Sequence, residues 1–278
     1  MAQALPQIAE LHASANWRTV DFISDLHLSA DEPATFTVWQ HYLESTPADA
    51  LFILGDLFEV WVGDDSVSQD LRHGSSLDAD LAPPTAGFED RCAQLLGDTA
   101  GRLALFFMRG NRDFLVDQRL MNLCNTTLLA DPTVLVFHGH GSAKDQRWLL
   151  SHGDALCLGD VDYLQFRHQV RSPIWQHAFL AKPLTERHAI ARSLRQQSEA
   201  RKHLGAQYAD VDTQEARDWL HAANAHTLIH GHTHQPAEHD LGEGLTRVVL
   251  SDWDARAKVP RAEVLRLSGS GLQRIPLL

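Results

Sequence analysis

The sequence predicts an α/β fold in which an open sheet presents its functional groups just past the carboxyl ends of its strands. Three observations predict it. Short β-branched or aromatic apolar runs each stop abruptly at Gly, Asp, Asn or His. A helical pattern lies between the first two of these runs, and 278 residues with 44% hydrophobic content can fill one large core. Strand, helix and strand with polar residues at the strand ends describe a sheet whose site lies beyond its carboxyl edge.

The first run, Thr19 to Ile23, leads into Ser24-Asp25-Leu26-His27. Phe36, Trp39 and Leu43 follow at helical spacing, which predicts a helix with one buried face. Ala50 to Leu54 leads into Gly55-Asp56, where the glycine lets the backbone turn sharply. Ser66 to Phe88, with Pro83-Pro84 and no period, predicts a long loop. Leu103 to Met108 leads into Gly110-Asn111-Arg112-Asp113. Thr133 to Phe137 and Trp148 to Leu150 predict a hairpin with His138-Gly139-His140-Gly141 in its exposed turn, and the second strand leads into Ser151-His152-Gly153-Asp154.

Residues 163–203 are helical in composition and carry eight Lys and Arg against two Glu. This local surplus of +6 sits on a chain of net charge −12, so the remainder carries −18. We expect a helical cap at about residues 160–205, inserted into one domain spanning 1–278. Thr227 to Ile229 then leads into His230-Gly231-His232-Thr233-His234, while Leu245 to Leu250 and Ala262 to Leu267 suggest a second sheet packed on the first.

A net charge of −12 argues against a nucleic-acid partner. The longest apolar run, Leu103 to Met108, is far shorter than the ~20 residues of a membrane-spanning helix. Met1 to Trp17 lacks the basic and apolar regions of a signal peptide, and Cys92, Cys124 and Cys157 form no disulfide framework, so a reducing, cytoplasmic setting is expected. No obligatory protein partner is inferred.

The 17 histidines matter by spacing. Asp25-x-His27 and His232-x-His234 are i, i+2 pairs, which point to one side if strand conformation persists through them. Asp56, Asn111 and His152 stand at other strand ends, completing two carboxylates, four imidazoles and one amide carbonyl. A mixed N/O set without thiolates suits Mn, Fe(II), Co or Zn. Seven donors are too many for one catalytic ion but suit two ions about 3.5–4 Å apart sharing a carboxylate.

In order, Asp-x-His, Gly-Asp, Gly-Asn-x-Asp, His-Gly-Asp and Gly-His-x-His resemble the calcineurin-like metallophosphoesterase superfamily from Asp25 to His234. The fuller strings are Phe22 to Leu28, Gly55 to Asp65, Gly110 to Leu115 and Ile229 to His234. They resemble the branch that hydrolyses the pyrophosphate of UDP-2,3-diacylglucosamine in the Gram-negative lipid A pathway. The resemblance implies a four-layer α/β/β/α sandwich with a helical cap, two Mn2+ ions, and release of UMP and 2,3-diacylglucosamine 1-phosphate by in-line attack of hydroxide. It implies one metal on Asp25, His27 and His234, a second on Asn111, His152 and His232, and Asp56 as the bridge. It places Asp56, Asn111 and Arg112 in catalysis, and Asn111, Arg112, Asp160, Ser198, Arg201, Lys202 and His232 against the substrate.

This chain departs from the pattern in three places. Much of the superfamily has a histidine after the Asn, where this chain has Arg112, a permanent cation suited to clamping phosphate. The branch has an Asn and a Lys after its Ser, where this chain has Arg201-Lys202-His203-Leu204. The 66–88 loop is also longer. A basic cap with apolar Pro173-Ile174-Trp175, Phe179-Leu180 and Leu184 fits a lipid-linked UDP-sugar and peripheral contact with the cytoplasmic face of the inner membrane. The competing readings are a metal-dependent pyrophosphatase or phosphodiesterase for a soluble nucleotide, and a non-catalytic scaffold.

Overall fold

The computed structural model describes residues 5–68, 87–138, 145–203 and 209–278, with the side chains of 197–203 outside the description. Twelve strands form two six-stranded sheets among these residues. They are β1 (Ala9–His12), β2 (Thr19–Ile23), β3 (Ala50–Leu54), β4 (Ala104–Met108), β5 (Thr127–Leu129), β6 (Thr133–Phe137), β7 (Gln146–Ser151), β8 (Thr227–His230), β9 (Ala237–Gly242), β10 (Leu245–Val249), β11 (Glu263–Ser268) and β12 (Gly271–Pro276). One sheet has the order β12-β11-β2-β3-β4-β5 and the other β1-β6-β7-β8-β10-β9.

Strand alternation builds three apolar layers. Phe22, Phe52, Leu54, Phe106 and Met108 from the first sheet meet Leu135, Phe137, Leu150, Ile229 and Val248 from the second, forming the core between the sheets. Phe52 stacks on Phe106 at 4.5 Å. The opposite-facing residues, including Ile23, Leu51, Ile53 and Phe107, pack under helices α1 (Pro33–Ser45), α2 (Phe88–Ala100) and α3 (Gln118–Leu123). Val134, Val136, Leu149 and Leu228 face Trp219 and Leu220 of the last helix, Thr213–Ala223. The fold is thus a four-layer α/β/β/α sandwich. Helix α1 buries Phe36, Trp39 and Leu43 as their spacing predicts, and Glu32 caps it by accepting from the backbone of Ala34 and Thr35.

The sequence reading differs from the structure in sheet membership. The five runs that read as one sheet divide, with β2, β3 and β4 in one sheet and β7 and β8 in the other. The tail divides too, because β10 pairs with β8 while β11 pairs with β2. β6 and β7 do pair antiparallel, but the turn at 139–144 and most of the 66–88 loop lie outside the described residues. Between β7 and β8 run α4 (Val161–Val170), α5 (Pro173–Leu180) and α6 (Leu184–His203), before α7 (Thr213–Ala223). No helix among the described residues is long and apolar enough to cross a membrane.

Candidate metal centre

The donor pairs lie just beyond their strands. β2 ends at Ile23 and β8 at His230, and Asp25, His27, Asp56, His232 and His234 all have positive φ, between 50° and 68°. The i, i+2 pairs therefore converge through repeated left-handed residues and not through strand alternation. A non-glycine residue in this region costs on the order of 1–3 kcal/mol, so this backbone is expensive unless it aims something. It aims donors.

Asp25 Oδ1 lies 3.3 Å from His234 Nε2 and 3.9 Å from His27 Nε2, and those two nitrogens are 3.2 Å apart. On the other side, Asn111 Oδ1 lies 3.0 Å from His152 Nε2 and 2.8 Å from His232 Nδ1. Asp56 stands between, with Oδ2 at 4.0 Å from His27 Nε2 and Oδ1 at 3.8 Å from His152 Nε2. All seven donors named from the sequence are brought together. Two carboxylate-containing groups, Asp25-His27-His234 and Asp25-Asp56-His152, each have their ligand atoms within 4.8 Å of one another. Asp25 belongs to both, so it reaches toward either side of the site, as Asp56 does.

The electrostatics are those of a cation site. Against the effect of burial, His234, His152 and His27 hold the Asp25 carboxyl well below its usual range. Burial also disfavours a charged His152, but Asp56, Asp154 and Asp25 outweigh it and push the imidazole up to about 9. Burial and the neighbouring His152 push His232 down to about 3, leaving a neutral ring with a free lone pair. Asp25 Oδ1 is buried without a hydrogen-bond partner, and such an oxygen is costly unless a cation faces it. The residues present fit divalent metal ions.

The surrounding chain fixes these donors. Buried Asp113 accepts from the backbone N–H of Leu57 and of Gly110, tying together the loops that carry Asp56 and Asn111. Burial and nearby Asp56 raise its carboxyl to about 7. Gly55 has φ +90°, the sharp turn expected of it. Gly110 serves proximity instead: a Cβ there would lie 2.1 Å from Asp56 Oδ1. Arg112 donates its backbone N–H to Asp56 Oδ1 at 2.7 Å, while its buried Nε has no partner. His152 Nδ1 faces the carbonyl of Leu54 at 2.9 Å, which leaves Nε2 for the site.

Sequence reasoning passed over several contributors. Glu59 Oε2 lies 3.0 Å from His27 Nδ1, and Asp252 Oδ2 lies 3.8 Å from His234 Nδ1. Asp154 takes Tyr163 Oη at 2.6 Å and Arg167 Nε at 2.8 Å, and the Tyr163 ring stacks on His232 with centroids 5.9 Å apart. Against burial, Arg171 and Arg167 hold Asp154 far below the usual carboxylate range. Glu59 and Asp154 stood inside strings already picked out, but nothing in their spacing marked them. Asp160 caps α4 by accepting from Tyr163 N–H at 3.2 Å. Ser198, Arg201 and Lys202 fall in α6 where side chains are not described.

The pattern of the calcineurin-like phosphoesterase family matches residues 18–236. A UDP-2,3-diacylglucosamine hydrolase from Chromobacterium violaceum is 43% identical over 267 residues, covering 93% of this chain and 98% of that protein. Proteins of the same name from Ralstonia nicotianae and Pseudomonas aeruginosa are 40% and 38% identical, covering 93% and 85% of this chain and 92% and 91% of those proteins. A metal-fitting site built from strand-end donors, inside a matched span of this length, leads to one conclusion: the chain belongs to the calcineurin-like phosphoesterase family, in the group of the UDP-2,3-diacylglucosamine hydrolases.

Proposed function

We propose that the protein hydrolyses the pyrophosphate of UDP-2,3-diacylglucosamine, releasing UMP and 2,3-diacylglucosamine 1-phosphate in lipid A biosynthesis. The observation that carries this reading is the meeting of seven N/O donors at one edge of the sandwich, in a chain whose relatives bear that name. Asp25, His27 and His234 would hold one cation and Asn111, His152 and His232 another, with Asp56 between them. Mn2+ is the metal we propose. When bound, the pair supplies Lewis acidity toward phosphate oxygens and a hydroxide nucleophile near neutral pH.

The chain supplies the remaining steps. Arg112 orients the diphosphate and neutralises charge that develops as the bond breaks; its unpartnered Nε and its position beside Asp56 suit that role. Asn111 and His232 would contact the same phosphates. A sugar phosphate is a weak base and departs without a protonating group, so a guanidinium can stand where much of the superfamily has histidine. Arg112→Ala should retain bound metal but lower the catalytic rate by roughly 2–4 kcal/mol of barrier. Arg112→Lys should recover only part of it, because a point charge lacks the guanidinium fork. Loss of bound Mn2+ in Arg112→Ala would instead place Arg112 among the metal-holding residues.

We further propose that the chain works as one domain in which α4, α5 and α6 cap the site and receive the acyl chains. The apolar residues expected there divide in two. Phe179 is buried and Trp175 and Leu184 pack against the core, with Trp175 stacked on Phe179 at 4.7 Å. Ile174 and Leu180 remain exposed, Ile174 at 85%, and Val161, Phe166 and Leu194, which the sequence reading did not single out, are exposed as well. Exposed apolar side chains of this kind on the cap helices support a lipid substrate presented at a membrane surface over a soluble nucleotide.

The basic surplus supports membrane contact less than its size suggests. Arg167 and Arg171 are paired with Asp154, Arg187 with Asp65, and Arg195 with Glu59. Asp substitutions at Ile174 and Leu180 together should raise KM for the lipid UDP-sugar about tenfold or more. They should also reduce co-sedimentation with anionic vesicles. Equal losses with bis(p-nitrophenyl) phosphate, which reports the metal centre alone, would remove the acyl-binding role. Incubating the protein with UDP-2,3-diacylglucosamine and identifying the released nucleotide tests the whole reading: UMP supports it, and UDP or no release defeats it.

A further inference from the structure

Glu59 lies between the rim of the metal centre and the cap, and the chemistry above does not use it. Its backbone is fixed beside His27: Glu59 N–H donates to Leu28 O at 3.0 Å and Leu28 N–H to Leu57 O at 2.8 Å. Its side chain is only 15% exposed and faces three cationic or basic groups. Oε2 lies 3.0 Å from His27 Nδ1, while Oε1 lies 3.2 Å from Arg195 Nε of α6 and 3.8 Å from Arg112 Nη1.

Each oxygen has a separate consequence. An imidazole that donates Nε2 to a cation must keep its proton on Nδ1, and a carboxylate facing that nitrogen selects the tautomer and sets the ring angle. His27 Nε2 points toward Asp25, Asp56 and His234, so Glu59 Oε2 stands at the opposite end of the ring from the site. Oε1 joins a residue of the loop after β4 to a residue of the cap helix. A half-buried acid with a single arginine partner would be an ordinary surface pair. Here one carboxylate spans a proposed metal ligand, a proposed phosphate clamp and the cap.

We propose that Glu59 is a positioning residue: through Oε2 it fixes the His27 tautomer for cation binding, and through Oε1 it aligns Arg112 with Arg195 of the cap. The proposal deepens the functional reading and rests on the seven-donor pocket being a metal centre.

The full chain, stripped of metal and titrated with Mn2+ alone by calorimetry, separates the two roles. Glu59→Ala should weaken Mn2+ binding about ten- to a hundredfold. Glu59→Gln keeps a carbonyl acceptor for His27 but loses the charge that holds the guanidinium groups. It should bind Mn2+ within about threefold of wild type yet raise KM for the lipid UDP-sugar. Arg195→Gln should bind Mn2+ as wild type does and raise KM for the lipid substrate about fivefold. Thermal unfolding confirms that each variant is folded, and Glu59→Met, similar in length but without an oxygen acceptor, stands in for Glu59→Ala if that variant is not. Wild-type Mn2+ affinity in a folded Glu59→Ala would overturn the tautomer role, and an unchanged KM in Arg195→Gln would overturn the cap role. A wild-type protein that takes up no Mn2+ would overturn the metal-centre reading itself, and this proposal with it.

Discussion

Asp56→Ala is expected to abolish turnover, by more than about 10³-fold, in a protein that still folds. Asp56 offers one oxygen toward His27 and the other toward His152, so its loss removes the group that stands between the two halves of the site. Little of the fold depends on it. It lies beyond β3, and its structural bond is the one accepted from Arg112 N–H, whose loss costs about 1–3 kcal/mol. Its removal also relieves Asp113, whose carboxyl it helps raise to about 7. Release of UMP, bound Mn2+ and the unfolding temperature should be measured together. Residual activity near wild type would show that Asp56 supports the loop and not the reaction.

Stripping divalent cations should inactivate the protein, Mn2+ should restore it, and uptake of the metal should expel protons. In the metal-free site His152 is pushed up to about 9 by its three carboxylate neighbours, so it carries a proton at pH 7.5. That proton must leave before Nε2 can donate. Apparent affinity should then fall about tenfold for each pH unit below 9, until other donors titrate and steepen the loss. Asp113, raised to about 7, adds to proton release with the same sign, since an arriving cation favours its ionised form. His232, held near 3, releases nothing at neutral pH. Calorimetry in two buffers of different ionisation enthalpy counts the protons. An affinity flat between pH 6.5 and 8.5 would show that His152 carries no proton in the metal-free site.

The donor set was legible in the sequence because each ligand-type residue follows a short apolar run, and that punctuation survives without knowledge of sheet order. Sheet order itself was not legible. β3 and β6 are buried along their whole length, and a strand buried on both faces carries no period to say which neighbours it has. The edge strands escaped for the opposite reason: β9 reads Ala-Glu-His-Asp-Leu-Gly and β1 alternates half-buried with exposed residues over four positions. Left-handed aspartates and histidines give no sign of themselves, since only glycine announces positive φ by its identity. Charge misled most. The arginines of residues 163–203 read as a basic surplus turned toward a lipid substrate and a membrane surface, yet Arg187 finds Asp65 across 122 residues of chain, a pairing that no local pattern encodes.

That same Arg187 has a consequence for traffic through the site. It is 2% exposed and reaches from α6 to the carbonyl of Val62 at 2.6 Å, to Asp65, and to the carbonyl of Lys182 at 3.0 Å. Swinging α6 outward would exchange these protein partners for water, so Arg187 ties the start of α6 to the loop that follows β3. With α6 held in place in this way, ligand association followed by stopped flow should be a single concentration-dependent phase with no slower gating step behind it.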